Sequence, residues 1–194
     1  MNMDSQTQAI LVVVLVLVVL GIVAWIVSRK KQSKYLQQRF GPEYAHAVDE
    51  LGSKSKGESE LKAREVRVEH LHIVALPAAE AAWFGLEWKA LQGRFVDNPK
   101  GVLAQADQLV RELMGKRGYP MADFAHRAAD VSVDHPTVVA HYRAAEAIAL
   151  RDQRGEADTE ALRQGVVHYR ALFQELLDNS EPRPTAAKPV EMHS

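Results

Sequence analysis

Residues 9–27 read AILVVVLVLVVLGIVAWIV, a run of nineteen positions without a charge, of which fifteen are Leu, Ile or Val. A helix of this length covers about 28 Å, close to the roughly 30 Å of hydrocarbon in a bilayer. A single segment in lipid must satisfy its backbone hydrogen bonds internally, and only a helix does so. The run therefore predicts one transmembrane helix at residues 9–27, preceded by a short extracytoplasmic N-terminus at residues 1–8.

The charges around this run predict its orientation. Basic residues follow it, whereas the segment before it has no Lys or Arg. Because positive charge stays on the cytoplasmic side, we expect the rest of the chain in the cytoplasm. The candidate membrane-anchoring residues are Trp25, Arg29, Lys30, Lys31 and Lys34. A secreted helical protein with a cleaved signal is an alternative, although the basic start and small-residue end of a signal peptide are missing.

The composition excludes several classes of function. The chain has no Cys, which excludes disulfides, thiolate metal sites and a Cys nucleophile. Residues 40–178 carry 17 Lys and Arg against 22 Asp and Glu, without a basic stripe. We therefore expect no nucleic-acid partner. Phosphate-loop, calcium-loop and hydrolase motifs are also missing, so no catalytic residue and no cofactor is assigned.

The remaining sequence is organised as helices. The pattern after the apolar run continues to Phe40, where Gly41 ends it and Pro42 suits the first turn of a new helix. Residues 28–57 are interpreted as a basic juxtamembrane helix and a linker, and residues 58–178 as a helical bundle domain. Three prolines and few large apolar residues predict a disordered tail at residues 179–194.

Apolar stripes inside this domain recur at helical spacing. One stripe is predicted between Val102 and Met114, after a helix start with a cap candidate at Asn98. A shorter helix is expected to begin at Pro120, and Asp158 or Thr159 is expected to cap the last helix.

Phe84, Trp88 and Leu91 lie on one side of a helix, with Trp83 and Leu86 beside them, which predicts a wide buried face. The same aromatic cluster is a possible binding surface, although large rings favour burial. No segment shows the alternation of a strand with a hairpin turn. The fold class is therefore predicted as all-α, with one N-terminal transmembrane helix followed by a compact multi-helix bundle.

Several short motifs resemble those of a family of uncharacterised bacterial proteins. The motifs are RFGPEY at 39–44, FVD at 95–97, RGYP at 117–120, SVDHP at 132–136 and HYRALF at 168–173. Members of the family have one N-terminal hydrophobic segment and one helical domain, and are commonly labelled hypothetical membrane or secreted proteins. The resemblance implies a bacterial origin, and with the predicted orientation it implies a location in the inner membrane. It brings no catalytic residue.

The sharpest chemical pattern consists of two carboxylate-x-x-His pairs. They are Glu43 with His46, and Asp123 with His126. On a helix this spacing puts both side chains on one face, and di-iron bundles use two such pairs plus two further carboxylates, for which Glu146 and Glu175 are available. A metal-dependent, di-iron-like enzyme is therefore an alternative function. His141 and His168 could form a polar contact between the last two helices.

The most consistent interpretation is a protein-interaction or tethering module. An anchor and an amphipathic helical body are present, while an assembled catalytic group is not. Arg117 and Asp134 stand between helices, where binding residues often lie, and are candidates for a docking surface. The predicted partners are the lipid bilayer and a protein whose identity the sequence does not give.

Overall fold

The computed structural model describes residues 5–178, and the side chains of residues 14–178. Within this range every regular element is a helix, which confirms the all-α prediction. The helices are α1 (Ser5–Phe40), α2 (Pro42–Glu50), α3 (Lys54–Glu69), α4 (Ala78–Gly93), α5 (Pro99–Lys116), α6 (Phe124–Asp134), α7 (Val139–Gln153) and α8 (Thr159–Asp178). The predicted disordered tail at 179–194 lies outside the described residues.

The predicted transmembrane helix at residues 9–27 is wrong. Among the residues whose side chains are described, no helix contains an apolar stretch long enough to cross a bilayer. The side chains of residues 9–13 lie outside the described range. The inner-membrane location and orientation stay predictions without support from these helices.

The chain divides into two compact units between Leu61 and Lys62. In the first unit, Gly41 adopts a φ of 49°, which ends α1 and lets Pro42 begin α2 as expected. Gly57 was expected in a linker, but it lies in α3, which begins at Lys54. A Cβ atom at Gly57 would come within 2.9 Å of the Val48 backbone, so glycine permits the close approach of α2 and α3.

The first unit has a small apolar core with a row of hydrogen-bonded polar side chains beside it. Leu36, Phe40, Ala47 and Leu61 are fully buried. The hydroxyl group of Tyr44 donates to Oε1 of Glu58 at 2.9 Å and lies 3.4 Å from Oγ of Ser33. These contacts connect α1, α2 and α3.

The second unit is built around α8, which packs against α5 and α7, while α4 packs on α5 and α6 on α7. Seven apolar side chains of α5 predicted to form a stripe are all buried: Val102, Leu103, Ala106, Leu109, Val110, Leu113 and Met114. Gly165 lies where α8 crosses its neighbours. A Cβ atom there would come within 2.7 Å of Leu103 Cδ1 and 3.1 Å of Ile148 Cγ2, so a side chain at this position would push these two residues aside.

The ends of these helices follow capping rules that the sequence partly reveals. The Asn98 side chain accepts a hydrogen bond from Gly101 N at 3.0 Å, and Asp158 accepts one from Ala161 N at 2.7 Å. Both caps agree with the expected helix starts. Asp123 is a third cap, because it accepts from His126 N and begins α6 later than the helix start expected at Pro120.

Candidate functional site

Helix α4 carries apolar residues on two opposite faces. The inner face holds Phe84, Trp88 and Leu91, which are 1%, 5% and 2% exposed. The ring of Phe173 stacks on Trp88 at 4.5 Å between centroids and meets Phe84 edge to face at 6.4 Å. These contacts hold the inner face of α4 against the second unit, so the opposite face of α4 points away from the core.

The outer face of α4 is an exposed apolar surface, which we call the α4 stripe. Its central residues are Trp83 and Leu86, which keep 48% and 65% of their surface exposed. The stripe consists of six exposed residues: Ala79, Ala82, Trp83, Leu86, Ala90 and Gly93. At 100° per residue these residues lie within one sector of the helix surface about 120° wide, and they extend over about 21 Å of helix. The sequence predicted a wide buried face that included Trp83 and Leu86. The buried face of α4 is narrower than this prediction, because the rest of the second unit covers only one side of the helix.

The two edges of the α4 stripe differ in charge. The helical periodicity places Glu80 and Glu87, both half-buried, on the edge nearer Trp83. Glu80 makes an ion pair with Lys116 at 3.3 Å. The exposed Lys89 lies on the opposite edge. The stripe thus has one acidic edge and one basic edge.

A polar cluster joins the helices beneath the surface of the second unit. The Tyr169 hydroxyl group donates to Oδ1 of Asp107 at 3.2 Å, and Arg111 makes an ion pair with the same carboxylate at 2.9 Å. Burial raises the pKa of Glu146, and the negative charge of Asp107 raises it further. Burial also raises the pKa of Tyr169. These groups already have protein partners, so the cluster fits a structural connection of α5, α7 and α8.

Two histidines meet at the surface between α7 and α8. Nδ1 of His141 lies 2.9 Å from Nδ1 of His168, and the ring centroids are 5.2 Å apart. The expected polar contact between these helices is present, with His141 exposed and His168 half-buried. Burial, followed by the nearby charge of His141, lowers the pKa of His168.

The two residues predicted as a docking surface occupy different environments. Arg117 is buried, and its guanidinium donates to the carbonyl oxygen of Leu176 at 2.7 Å and to that of Val74 at 3.4 Å. Asp134 is half-buried, and its Oδ2 accepts a hydrogen bond from the Tyr119 hydroxyl group at 3.3 Å. Arg117 therefore connects the end of α8 to the segment before α4.

The residues named for the metal alternative have local partners. Nε2 of His46 lies 3.6 Å from Glu50, and Nδ1 of His126 lies 2.7 Å from Asp123. Glu43 and His46 belong to the first unit, whereas Asp123 and His126 belong to the second. Within residues 14–178, no group of three or more His, Asp or Glu side chains is placed to hold a metal ion. Oε1 of Glu175 instead lies 3.0 Å from Nδ1 of His135, within hydrogen-bond distance.

The proposed anchoring residues lie on α1. The guanidinium of Arg29 stands 5.0 Å from the centre of the exposed Trp25 ring. A cavity of about 270 Å³ lies beside them in the first unit, and its lining includes Arg29, Lys30, Lys54 and Glu58. Lys31 and Lys34 are exposed, and the cavity lining does not include them.

The sequence did not single out the α4 stripe as exposed. Apolar residues on both sides of one helix usually indicate complete burial, and the sequence does not reveal which side lacks a partner.

No protein-family model, no curated protein and no solved structure matches this chain, so its resemblance to the uncharacterised bacterial family stays a prediction.

Proposed function

We propose that this chain is a protein-interaction module that binds a helix of another protein on the α4 stripe. The observation that carries the proposal is the exposure of Trp83 and Leu86 at the centre of a continuous apolar helix face. Contiguous exposed apolar surface on a folded protein marks interaction sites. Aromatic side chains such as Trp83 are also the residues that contribute most to binding energy at interfaces.

The dimensions of the stripe fit a helix as the partner. The stripe covers about four turns, and an amphipathic helix of similar length presents a matching row of apolar residues. Ala79, Ala82, Ala90 and Gly93 have little or no side chain, so a second backbone can approach closely on either side of Leu86. Trp83 and Leu86 then insert between the side chains of the partner.

The charged edges disfavour an antiparallel second copy of this chain and define the charges expected on a partner helix. In an antiparallel pair of identical helices, two-fold symmetry would place the Glu87 edge of one copy beside the same edge of the other. This arrangement is repulsive. A parallel two-fold pair would place the acidic edge of each copy beside the basic edge of the other. The partner helix is therefore expected to carry a basic residue facing Glu87 and an acidic residue facing Lys89.

The test measures the native size of the full-length chain in gently detergent-extracted cells. The wild-type chain is expected to migrate in a complex larger than its own mass, and Leu86→Asp is expected to reduce that size because a carboxylate cannot be buried against an apolar helix. Leu150→Asp is the matched control, since Leu150 is an exposed leucine on α7. An unchanged native size for Leu86→Asp would contradict the proposal.

A further inference from the structure

A cavity of about 270 Å³ lies between α1 and α3 in the first unit, and charged side chains surround it. Its lining consists of Arg29, Lys30 and Ser33 from α1, and of Lys54, Ser55 and Glu58 from α3. Three of these side chains are basic and one is acidic, so the lining has a formal charge of +2. A cleft lined by one sign of charge concentrates ions of the opposite sign. The ligand expected in this cavity is therefore an anion.

We propose that this cavity binds a phosphoryl group with two negative charges, carried by a small soluble phosphate ester or by a lipid headgroup. Guanidinium, ammonium and hydroxyl groups are side-chain donors that bind phosphate oxygens in proteins. Pockets for drug-sized ligands occupy about 300–1,000 Å³, so about 270 Å³ suits a phosphoryl group with the few atoms next to it. The site goes beyond the proposed helix-binding function and uses none of its residues.

The structure holds the Arg29 guanidinium in place on the α1 side of the cavity. This group lies 5.0 Å from the centre of the Trp25 ring, within the about 6 Å of a cation–π contact. The contact restricts the side chain, so less rotamer entropy is lost when Arg29 binds an anion. The planar fork of a guanidinium donates two parallel hydrogen bonds to a phosphate. Lys30, the next residue of α1, adds a second positive charge at the same cavity.

The first turn of α3 supplies donors on the other helix. Lys54 and Ser55 are the first two residues of α3, where the positive end of the helix dipole adds to the attraction for an anion. Nζ of Lys54 lies 3.8 Å from Oε1 of Glu58, and the Lys54 side chain keeps 61% of its surface exposed. A surface ion pair at this separation contributes little stability, so the ammonium group can move to a phosphate oxygen at small cost.

Two buried polar side chains also line the cavity. Ser33 and Glu58 are 6% and 9% exposed. The Ser33 hydroxyl group lies 3.4 Å from the Tyr44 hydroxyl group, a long contact, so it can turn toward a phosphate oxygen. Glu58 has the opposite effect, because its negative charge repels an anion. It accepts a hydrogen bond from Tyr44 at 2.9 Å, which a glutamine at this position can also accept. Glu58→Gln should therefore strengthen phosphate binding.

The test adds the full-length protein, in a neutral detergent at pH 7.5, to inorganic phosphate and follows the width of the phosphorus NMR signal. We expect saturable broadening from bound phosphate. Lys30→Gln and Lys54→Gln should each weaken binding about tenfold, because each removes a charge-assisted hydrogen bond. Glu58→Gln should strengthen binding about threefold or more. Lys31→Gln is the matched control, because Lys31 is an exposed lysine beside Lys30 outside the cavity lining, and it should change binding less than about twofold.

Competition for the bound inorganic phosphate distinguishes the two sources of the phosphoryl group. Glycerol 3-phosphate and phosphatidic acid carry the same phosphate ester, and only phosphatidic acid carries lipid chains. If phosphatidic acid in the micelles displaces inorganic phosphate at the lower concentration, the ligand is a lipid headgroup. If glycerol 3-phosphate is at least as effective, the ligand is a soluble ester. Phosphatidylcholine, whose phosphate has a single negative charge, controls for the lipid chains and should displace little.

Three results would overturn the proposal. The first is a phosphorus signal that does not broaden with the wild-type chain. The second is equal weakening by Lys30→Gln and Lys31→Gln, since phosphate would then respond to the general charge of α1 rather than to the cavity. The third is unchanged or weaker binding in Glu58→Gln, since the carboxylate would then not face the bound anion. Lys30 and Lys54 are exposed, so their replacement should leave the fold intact, which the circular dichroism spectrum checks.

Discussion

The indole ring of Trp88 stacks on the ring of Phe173, with 4.5 Å between the centroids, and this contact fixes the inner face of α4 on α8. Trp83 lies on the same helix, five residues earlier, and keeps about half of its surface exposed. One helix therefore buries one tryptophan in the core and keeps the other exposed.

The two tryptophans should differ in their effect on stability. Trp88→Ala removes a buried ring from the core and should lower the free energy of unfolding by about 3–5 kcal/mol. Trp83→Ala removes a largely exposed ring and should cost about 1 kcal/mol or less. Urea unfolding of the two full-length variants, followed by circular dichroism, measures both values. Equal losses would show that the two faces of α4 are not distinct.

Two glycines provide a second matched pair. Gly165→Ala places a methyl group against Leu103 and Ile148 at the crossing of α8, and should destabilise the protein by about 1–3 kcal/mol through overpacking. Gly85→Ala places the same group where no atom lies within 4 Å, and should stabilise α4 by about 0.5–1 kcal/mol because alanine favours helix. Thermal unfolding of both variants is the measurement. A stabilising Gly165→Ala would contradict the close crossing.

Helix positions and the α5 core could be predicted because local signals determine them. Asn98 and Asp158 cap their helices through a side-chain acceptor three residues before the bonded amide, a pattern visible in the sequence. The exposed side of α4 could not be predicted, because periodicity identifies apolar faces but not their partners. The cap at Asp123 was missed because Pro120 and the helical periodicity after it favoured an earlier start.

The same limit applies to the candidate site residues. Arg117 stands between two helices, which is typical of binding residues, yet the fold directs its guanidinium toward distant carbonyl oxygens of Leu176 and Val74. The meeting of His141 and His168 was foreseen because both lie beside buried tyrosines on successive helices, but their 2.9 Å separation depends on the crossing of α7 and α8. Such contacts between residues far apart in sequence are set by tertiary packing.

Replacement of Arg117 tests its structural position. Arg117→Met removes a buried charged donor and leaves the Leu176 carbonyl oxygen without that bond, so it should lower the free energy of unfolding by about 1.5–3 kcal/mol. Arg94→Met, at an exposed arginine after α4, should change it by about 0.5 kcal/mol or less. Guanidinium unfolding compares the two variants. If both are equally stable, the hydrogen bonds of Arg117 contribute little to the fold.

The pH dependence of stability should depend on His135. Burial lowers the pKa of His135 below its usual 6.5, although Glu175 opposes this shift. The unfolded chain therefore takes up a proton more readily than the folded chain, and stability should fall as the pH drops below about 6.5. His135→Gln should show a smaller loss of melting temperature between pH 7.5 and pH 5.5. His46→Gln is the control and should retain the loss of the wild-type chain.

The labelling rate of a single thiol on the α4 stripe tests the central claim most directly. The chain has no cysteine, so Leu86→Cys and Leu150→Cys each carry one reactive position, and a membrane-permeant maleimide can label them inside cells and after purification. The account predicts that Leu86→Cys reacts several-fold more slowly in cells than as purified protein, and that Leu150→Cys reacts equally in both. Equal in-cell and purified rates for Leu86→Cys would mean that the α4 stripe has no partner in the cell.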